Sequence, residues 1–420
     1  MASAEHLLIS KVIQDQNIAH PLKLGVKNIH FTQTWGQVWE WVLIYWREHN
    51  SVPTARAVKQ QFGDITLVDA SKEPFSGLIE EVYKSYKHRS LLEAVAEAMP
   101  ALEQSAVDAA LTLLTRGVNK ATTDTTKLRD VNLIETWEQR VEKYIELQKT
   151  PNGLRGIPTG LLGLDRITSG FRPQQLITFV GEAKRGKSLM TLYMANAAHL
   201  HGKTPLFVSF EMSADEQAAR YDAIVAGVPY SNILRGSMSE HELEKVSNTL
   251  RMRKNMHPFI ITEDTSSLTT VGALAAKIKE YKPDILFVDG VYLMDDENGE
   301  PKGSPQALTN ITRSLKRVAQ NEDIPIVGTT QVLSWKLNNR KSRKITSDAI
   351  GYTSSFAQDS DLVLGVEADP DIEDQAIIRV VLARSAPLGE IKINWDWANM
   401  NFTEVGEDTD DGNDTDNWYY

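Results

Sequence analysis

The chain has 420 residues, of which 41% are hydrophobic, 24% charged and 8% aromatic; this suits two or more packed domains and excludes global disorder. There is no cysteine, which removes disulfides, thiol catalysis and every cysteine-ligated zinc or iron–sulfur centre. A formal charge of -11, taken at face value, argues against a nucleic-acid partner.

The opening Met1–Ser10 has no basic segment followed by an apolar core, so no secretory signal is expected. With a mean hydropathy of -0.31 and no apolar run of membrane-spanning length, no membrane partner is expected either. Five glycines fall before residue 150 and eighteen between 151 and 403. A glycine-poor first third with helical periodicity predicts an all-α domain over 1–120. Trp35, Trp39 and Trp46, with Val38 and Val42, lie near three- and four-residue spacing on one helix face. That spacing suits an aromatic core better than a base-stacking platform. Further helices are predicted over Phe75–Met99 and Ala101–Arg116. Ala121–Lys127 is polar and aperiodic, as a linker is, within a linker region spanning 121–155. Asp130–Lys149 then carries Leu133, Trp137, Val141 and Tyr144 at heptad-like spacing, a helix with one narrow stripe for docking on a neighbour or another subunit. Pro151-Asn152-Gly153 ends it.

From Ile157 the texture changes. Strand-like runs occur at Leu176–Val180, Leu206–Phe210, Phe259–Ile261, Ile285–Val288, Pro325–Gly328, Asp361–Val366 and Ile377–Leu382, mostly separated by amphipathic stretches. The alternation predicts an α/β domain over 156–403, with a mostly parallel sheet covered on both faces. Residues 404–420 form an acidic tail expected to be disordered.

Within that domain, Gly181, Glu182, Ala183, Lys184, Arg185, Gly186, Lys187 and Ser188 match the phosphate-loop pattern GxxxxGK[ST] in full, between a strand and a helix that continues with Leu189. Its backbone N–H groups would wrap phosphates at the positive end of the helix; Lys187 would reach the β- and γ-phosphates and Ser188 would ligate Mg²⁺. The run Ile285–Val288 ends in Asp289, placed to sit near the same Mg²⁺, although an Asp opening a turn has the same pattern. Leu206–Phe210 ends in Glu211, able to activate the water that attacks the γ-phosphate or, alternatively, to serve as an N-terminal helix charge. A further strand ends in Gln331, whose amide can donate to a γ-phosphate oxygen.

These residues, with Gly156-Ile-Pro-Thr-Gly160, Leu164-Asp165, Gly170-Phe171, Phe210-Glu-Met-Ser, Thr312-Arg-Ser-Leu-Lys-Arg-Val-Ala319, Gln358-Asp-Ser-Asp361 and Arg384-Ser-Ala-Pro-Leu-Gly389, resemble the motor domain of DnaB-type replicative DNA helicases. The resemblance covers about residues 155 to 400, in family order. It implies a RecA-like motor that forms a homo-hexameric ring, hydrolyses ATP with Mg²⁺ between subunits and moves 5′→3′ along single-stranded DNA. By position, Lys187, Ser188 and Asp289 hold nucleotide and metal, Glu211 is the catalytic carboxylate and Gln331 senses the γ-phosphate. Arg384 aligns with the arginine finger that reaches a neighbour's ATP; by itself it reads as a surface arginine, and only the motif raises it. A primase and a helicase loader are further partners that the family admits, and the cytoplasm of a bacterial cell or phage-infected host is the expected location.

Three departures stand out. Leu382 occupies the position of a usual lysine two residues before the finger. Asp348–Phe356 lacks the usual Arg-Glu pair, so contact with DNA there would rest on amides and hydroxyls around Gly351, Tyr352 and Thr353. Gly290 and Val291 replace the usual Tyr-Leu after Asp289. Such drift resembles a phage-encoded member. Lys336, Arg340, Lys341, Arg343 and Lys344 put five cations in nine residues after Gln331, a candidate channel loop for the DNA backbone, or else an ordinary solvated basic loop. A RecA/KaiC-like DNA-dependent ATPase without unwinding, such as a recombinase or a signalling ATPase, is the competing reading. Seven carboxylates and no Lys or Arg lie in 404–420, so the net charge does not exclude a DNA motor whose cations sit on one loop.

Overall fold

The computed structural model describes residues 3–63, 65–123, 131–150, 153–263, 269–332, 345, 355–396, 398 and 400–406. The chain divides into two compact units, Met1–Gln139 and Arg140–Tyr420.

The first unit is helical: α1 (Ala4–Gln14), α2 (Ala19–Lys23), α3 (Gln33–His49), α4 (Ala55–Gln61), α5 (Phe75–Glu103) and α6 (Val107–Thr123). Its core collects Leu8, Ile9 and Val12 of α1, Val38, Trp39 and Val42 of α3, and Ile79 and Val82 of α5. Trp39 is fully buried and stacks on Phe31, so the tryptophan cluster is core, as its spacing predicts. The one buried carboxylate of α1, Glu5, is satisfied by the Thr32 amide at 2.9 Å and by Arg89 of α5 at 3.2 Å. Two helix limits differ from expectation. Pro100 lies inside the last turn of α5, where a proline removes one backbone donor without ending the helix. Helix α6 runs to Thr123 rather than Arg116, with Arg116 and Lys120 paired to Glu97 and Glu93 of α5 at 2.7 and 3.5 Å. Of the expected linker Ala121–Lys127, residues 124–127 lie outside the described residues.

Helix α7 (Trp137–Gln148) begins seven residues later than the periodicity from Asp130 suggests. Residues 133–136 form a turn instead, closed by the Thr136 amide on the Asn132 carbonyl at 3.1 Å, with the Asn132 side chain accepting from the Ile134 amide at 3.0 Å. Val141, Tyr144 and Ile145 of α7 are exposed.

The second unit is built on a nine-stranded sheet in the order β3-β2-β4-β5-β1-β6-β7-β8-β9. In chain order its elements are α8 (Leu162–Thr168), β1 (Leu176–Gly181), α9 (Lys187–Leu200), β2 (Pro205–Ser209), α10 (Ala214–Ala226), α11 (Tyr230–Arg235), α12 (Glu240–Met252), β3 (Ile260–Glu263), α13 (Val271–Tyr281), β4 (Ile285–Asp289), α14 (Pro305–Glu322), β5 (Ile326–Gln331), a short helix Ser355–Asp359, β6 (Leu362–Ala368), β7 (Gln375–Ala383), β8 (Glu390–Asp396) and β9 (Asn401–Glu404). Strands β3 to β6 in that spatial order are parallel; β7, β8 and β9 are added antiparallel. Each parallel strand alternates between two cores. Ile177, Phe179, Phe207 and Phe287 face α9, while Leu176, Val180, Leu206 and Leu286 face α13 and α14. All seven predicted strands form; β8 and β9 were not among them. The Glu-Ile-Lys-Ile-Asn-Trp-Asp alternation of β8 is a half-exposed strand signal, with Ile393 and Trp395 buried, that long apolar runs elsewhere overshadow. Among the described residues, no helix is long and apolar enough to cross a membrane.

Candidate functional site

Parallel strands end at one edge, and here that edge gathers the polar groups. Registers pair Gly181 with Gln331 and Ser209 with Asp289, so β2, β4, β5 and β1 deliver their C-terminal residues side by side. Gly186, at φ 75°, caps α9 in the left-handed region open to glycine and turns the loop so that it feeds the N-terminus of that helix. Lys187 is almost fully buried, and its ammonium donates to the Glu182 carbonyl across the loop at 2.8 Å. Burial pushes its pKa down, against the pull of the Glu211, Asp289 and Glu182 carboxylates.

Asp289 is not a turn opener. Its carboxyl is buried and accepts from the Thr329 hydroxyl of β5 at 2.8 Å, while Oδ2 has no hydrogen-bond partner among the described residues. Burial raises its pKa, against the Ser188 and Thr329 hydroxyls. As pH rises, the unfolded carboxyl ionises before the buried one, so the wild type loses stability through that window; below the ordinary carboxylate range both states keep the proton. Asp289→Asn is therefore expected to stabilise the nucleotide-free protein by about 1 kcal/mol at neutral pH and by nothing at acid pH, read by urea unfolding across pH.

Ser213 is the N-cap of α10, accepting from Glu216 N at 3.2 Å, and the acidic first turn is Asp215 and Glu216. Glu211 therefore precedes the helix. The Phe210 amide donates to the Asp289 carbonyl at 2.6 Å, which ties this segment to the end of β4. The Tyr292 hydroxyl donates to Glu211 Oε1, and Gln331 Nε2 donates to the same hydroxyl at 2.8 Å.

A cavity of about 830 Å³ opens over this edge. Its walls hold Ala183 to Leu189, Glu211 and Gln331, and also Arg220, Tyr230, Ser231 and Met400. The Arg220 guanidinium lies 5.5 Å above the Tyr230 ring. Arg220, Tyr230, Ser231 and Met400, with Thr329 and Tyr292, were not singled out in the sequence. Thr329 could have been found two residues before Gln331, but Arg220 and Met400 meet only through folding. Arg384 is not on the cavity wall. It follows β7, half exposed, donating to the Gln358 carbonyl at 2.8 Å and lying 3.7 Å from Asp361. The expected DNA contacts Lys336, Arg340, Lys341, Arg343, Lys344, Gly351, Tyr352 and Thr353 all lie outside the described residues.

The residues suit a magnesium nucleotide. The unpartnered Asp289 Oδ2 and the Ser188 hydroxyl are hard oxygen donors. Among the described residues no cluster of three His, Cys, Asp or Glu side chains could cage a metal, and a Mg²⁺ shared with phosphates needs no such cage.

Residues 156–404 match the family model described as the DnaB-like helicase C-terminal domain. The replicative DNA helicase DnaB of Haemophilus influenzae is 26% identical over 290 residues, 66% of this chain and 61% of that protein. That of Geobacillus stearothermophilus is 27% identical over 278 residues, 63% of this chain and 59% of that protein. The chain thus aligns with about three fifths of the length of these relatives. The replicative DNA helicase DnaC of Bacillus subtilis is 25% identical over 361 residues, 82% of this chain and 74% of that protein. Among solved structures, a DnaB-like replicative helicase studied with primase superposes with a TM-score of 0.60 at 15% identity, covering 95% of this chain and 99% of that one. A second solved structure, of an ATPase domain, gives 0.59 at 18% identity, covering 66% of this chain and all of that one. Those structures establish the likeness of fold.

Proposed function

The chain belongs to the DnaB-like helicase C-terminal domain family, and from that premise we propose that it is an ATP-driven replicative DNA helicase, working as a homo-hexameric ring on single-stranded DNA. The observation that carries this reading is the division of the catalytic set. The phosphate loop, Glu211 and Gln331 share one cavity, while Arg384 stands outside it at the end of β7. Such a site is completed by a second copy of the chain.

The loop amides and Lys187 hold the β- and γ-phosphates, in a cavity that Arg220 and Tyr230 also line. Ser188 and Asp289 would hold Mg²⁺, which when bound offsets phosphate charge. Glu211 accepts a proton from the attacking water, and Gln331 donates to the γ-phosphate as charge develops on it. Arg384 of one subunit then stabilises that charge on the ATP of the next. Lys336 to Lys344 are the candidate cationic contacts to the DNA backbone, with Gly351, Tyr352 and Thr353 beside them. The family reading carries 5′→3′ polarity, a primase and a loader as further partners, and the cytoplasm as location.

A forked-duplex assay tests the proposal. Strand displacement that needs ATP, Mg²⁺ and a 5′ single-stranded arm is expected. ATP hydrolysis indifferent to single-stranded DNA, with no displacement, would favour the ATPase reading without unwinding.

A further inference from the structure

We propose that Tyr292 is a positioning residue that joins the sensor amide of Gln331 to the carboxylate of Glu211 and sets that carboxylate for the attacking water. The proposal rests on the roles given above to Glu211 and Gln331.

Tyr292 lies in the 3₁₀ turn Val291–Leu293 directly after β4, and its ring packs, half-buried, on the core beneath α13 and α14. A phenol is both donor and acceptor, and here it is used as both: it donates to Glu211 Oε1 and accepts from Gln331 Nε2 at 2.8 Å. Glu211 is exposed at a strand-to-helix connection and its side chain has three rotatable bonds, so an anchored hydroxyl removes freedom the carboxylate would otherwise have. Among the described residues, one carboxylate oxygen of Glu211 and one amide N–H of Gln331 remain for water and phosphate. A shift of Gln331 toward a γ-phosphate is thereby transmitted, through one rigid ring, to the group that must hold the nucleophile.

Gly290 makes the arrangement sterically possible. A Cβ at that position would stand 2.6 Å from Tyr292 Cε1 and 3.3 Å from Glu211 Oε1. The glycine that departs from the family's usual residue after Asp289 and the tyrosine two places on are thus one feature: the first makes room for the second.

The test uses steady-state ATP hydrolysis by the full chain with saturating single-stranded DNA. Tyr292→Phe keeps the ring and removes the hydroxyl. It is expected to lower kcat roughly ten- to hundredfold, the worth of one charge-assisted hydrogen bond, while the KM for ATP stays within about twofold. Tyr292→Phe combined with Gln331→Ala should be no slower than the slower single variant, since both act through one chain. Gly290→Ala, which displaces the ring but keeps the hydroxyl, should reproduce the kcat defect. An unchanged or raised kcat in Tyr292→Phe overturns the proposal, as do additive losses in the double variant or a change confined to KM. Glu211→Gln separates the two layers. If it hydrolyses ATP at the wild-type rate, the base assignment fails and takes this proposal with it; if it is inactive while Tyr292→Phe is not, only the tyrosine's role is lost.

Discussion

Arg384→Ala is expected to lower ATP turnover by roughly 10³-fold or more while nucleotide binding is retained, because an arginine finger acts on charge that appears only in the transition state. The geometry explains the split. Arg384 does not wall the cavity; its guanidinium is held at the end of β7 by the Gln358 carbonyl, near Asp361. Asp361 in turn accepts from Leu176 N at 2.8 Å and from Lys316 at 2.6 Å, so the arginine is anchored to the frame of the sheet. Removing it leaves the phosphate loop of its own subunit intact. Fluorescent-nucleotide titration measures the binding, and unwinding of a fork measures the loss. A subunit-mixing experiment is sharper. Arg384→Ala subunits supply an intact phosphate loop and Lys187→Ala subunits an intact finger, so mixing two inactive proteins should recover part of the activity. Full activity in the Arg384 variant alone, or no recovery on mixing, would defeat an assignment across subunits.

On the proposed reading, Lys187→Ala should abolish hydrolysis and unwinding, by at least about 10³-fold, through loss of the cation assigned to the β- and γ-phosphates. This variant also carries a signature in the absence of nucleotide. The Lys187 ammonium is buried, and burial disfavours its charged form more than the Glu211, Asp289 and Glu182 carboxylates support it. The depressed pKa means that the lysine's ionic contribution to stability is full only above the ordinary lysine range and declines as pH falls through the folded value. At neutral pH the wild type therefore bears the burden of a buried charge. The thermal midpoint of nucleotide-free Lys187→Ala should equal or exceed that of wild type, while the gain in midpoint on adding nucleotide disappears. A lower midpoint without nucleotide would mean that the lysine is structural and that the lost activity reports unfolding.

Sequence reached some parts of the molecule and not others. The phosphate loop was legible because phosphate wrapping fixes residue types at fixed spacing. The strand-end carboxylates were legible because a parallel α/β sheet brings every C-terminal strand end to one edge. Tryptophan spacing in α3 likewise predicted a core, and Trp39 is fully buried. The start of α7 was not legible because a heptad-like stripe does not mark where a helix begins, and residues 133–136 form a separate turn before Trp137. Glu211 carries two readings in sequence, and the structure adds that it lies two residues before the Ser213 cap and beside Tyr292.

What the sequence determined by itself was therefore a mostly parallel sheet, with the phosphate-loop pattern Gly181 to Ser188 and the strand-end Asp289 at one edge of it. Its net charge determined nothing about partners, because charge acts where it is placed rather than in sum. The tertiary structure alone decided which side chains meet. Thr329 holds Asp289, Tyr292 bridges Glu211 and Gln331, and Arg220 and Tyr230 line the same cavity as the loop. The hydrogen bonds of Asp289 and Tyr292 join residues 39 to 81 positions apart in the chain, and local periodicity holds no information about a distance that only strand order and register set.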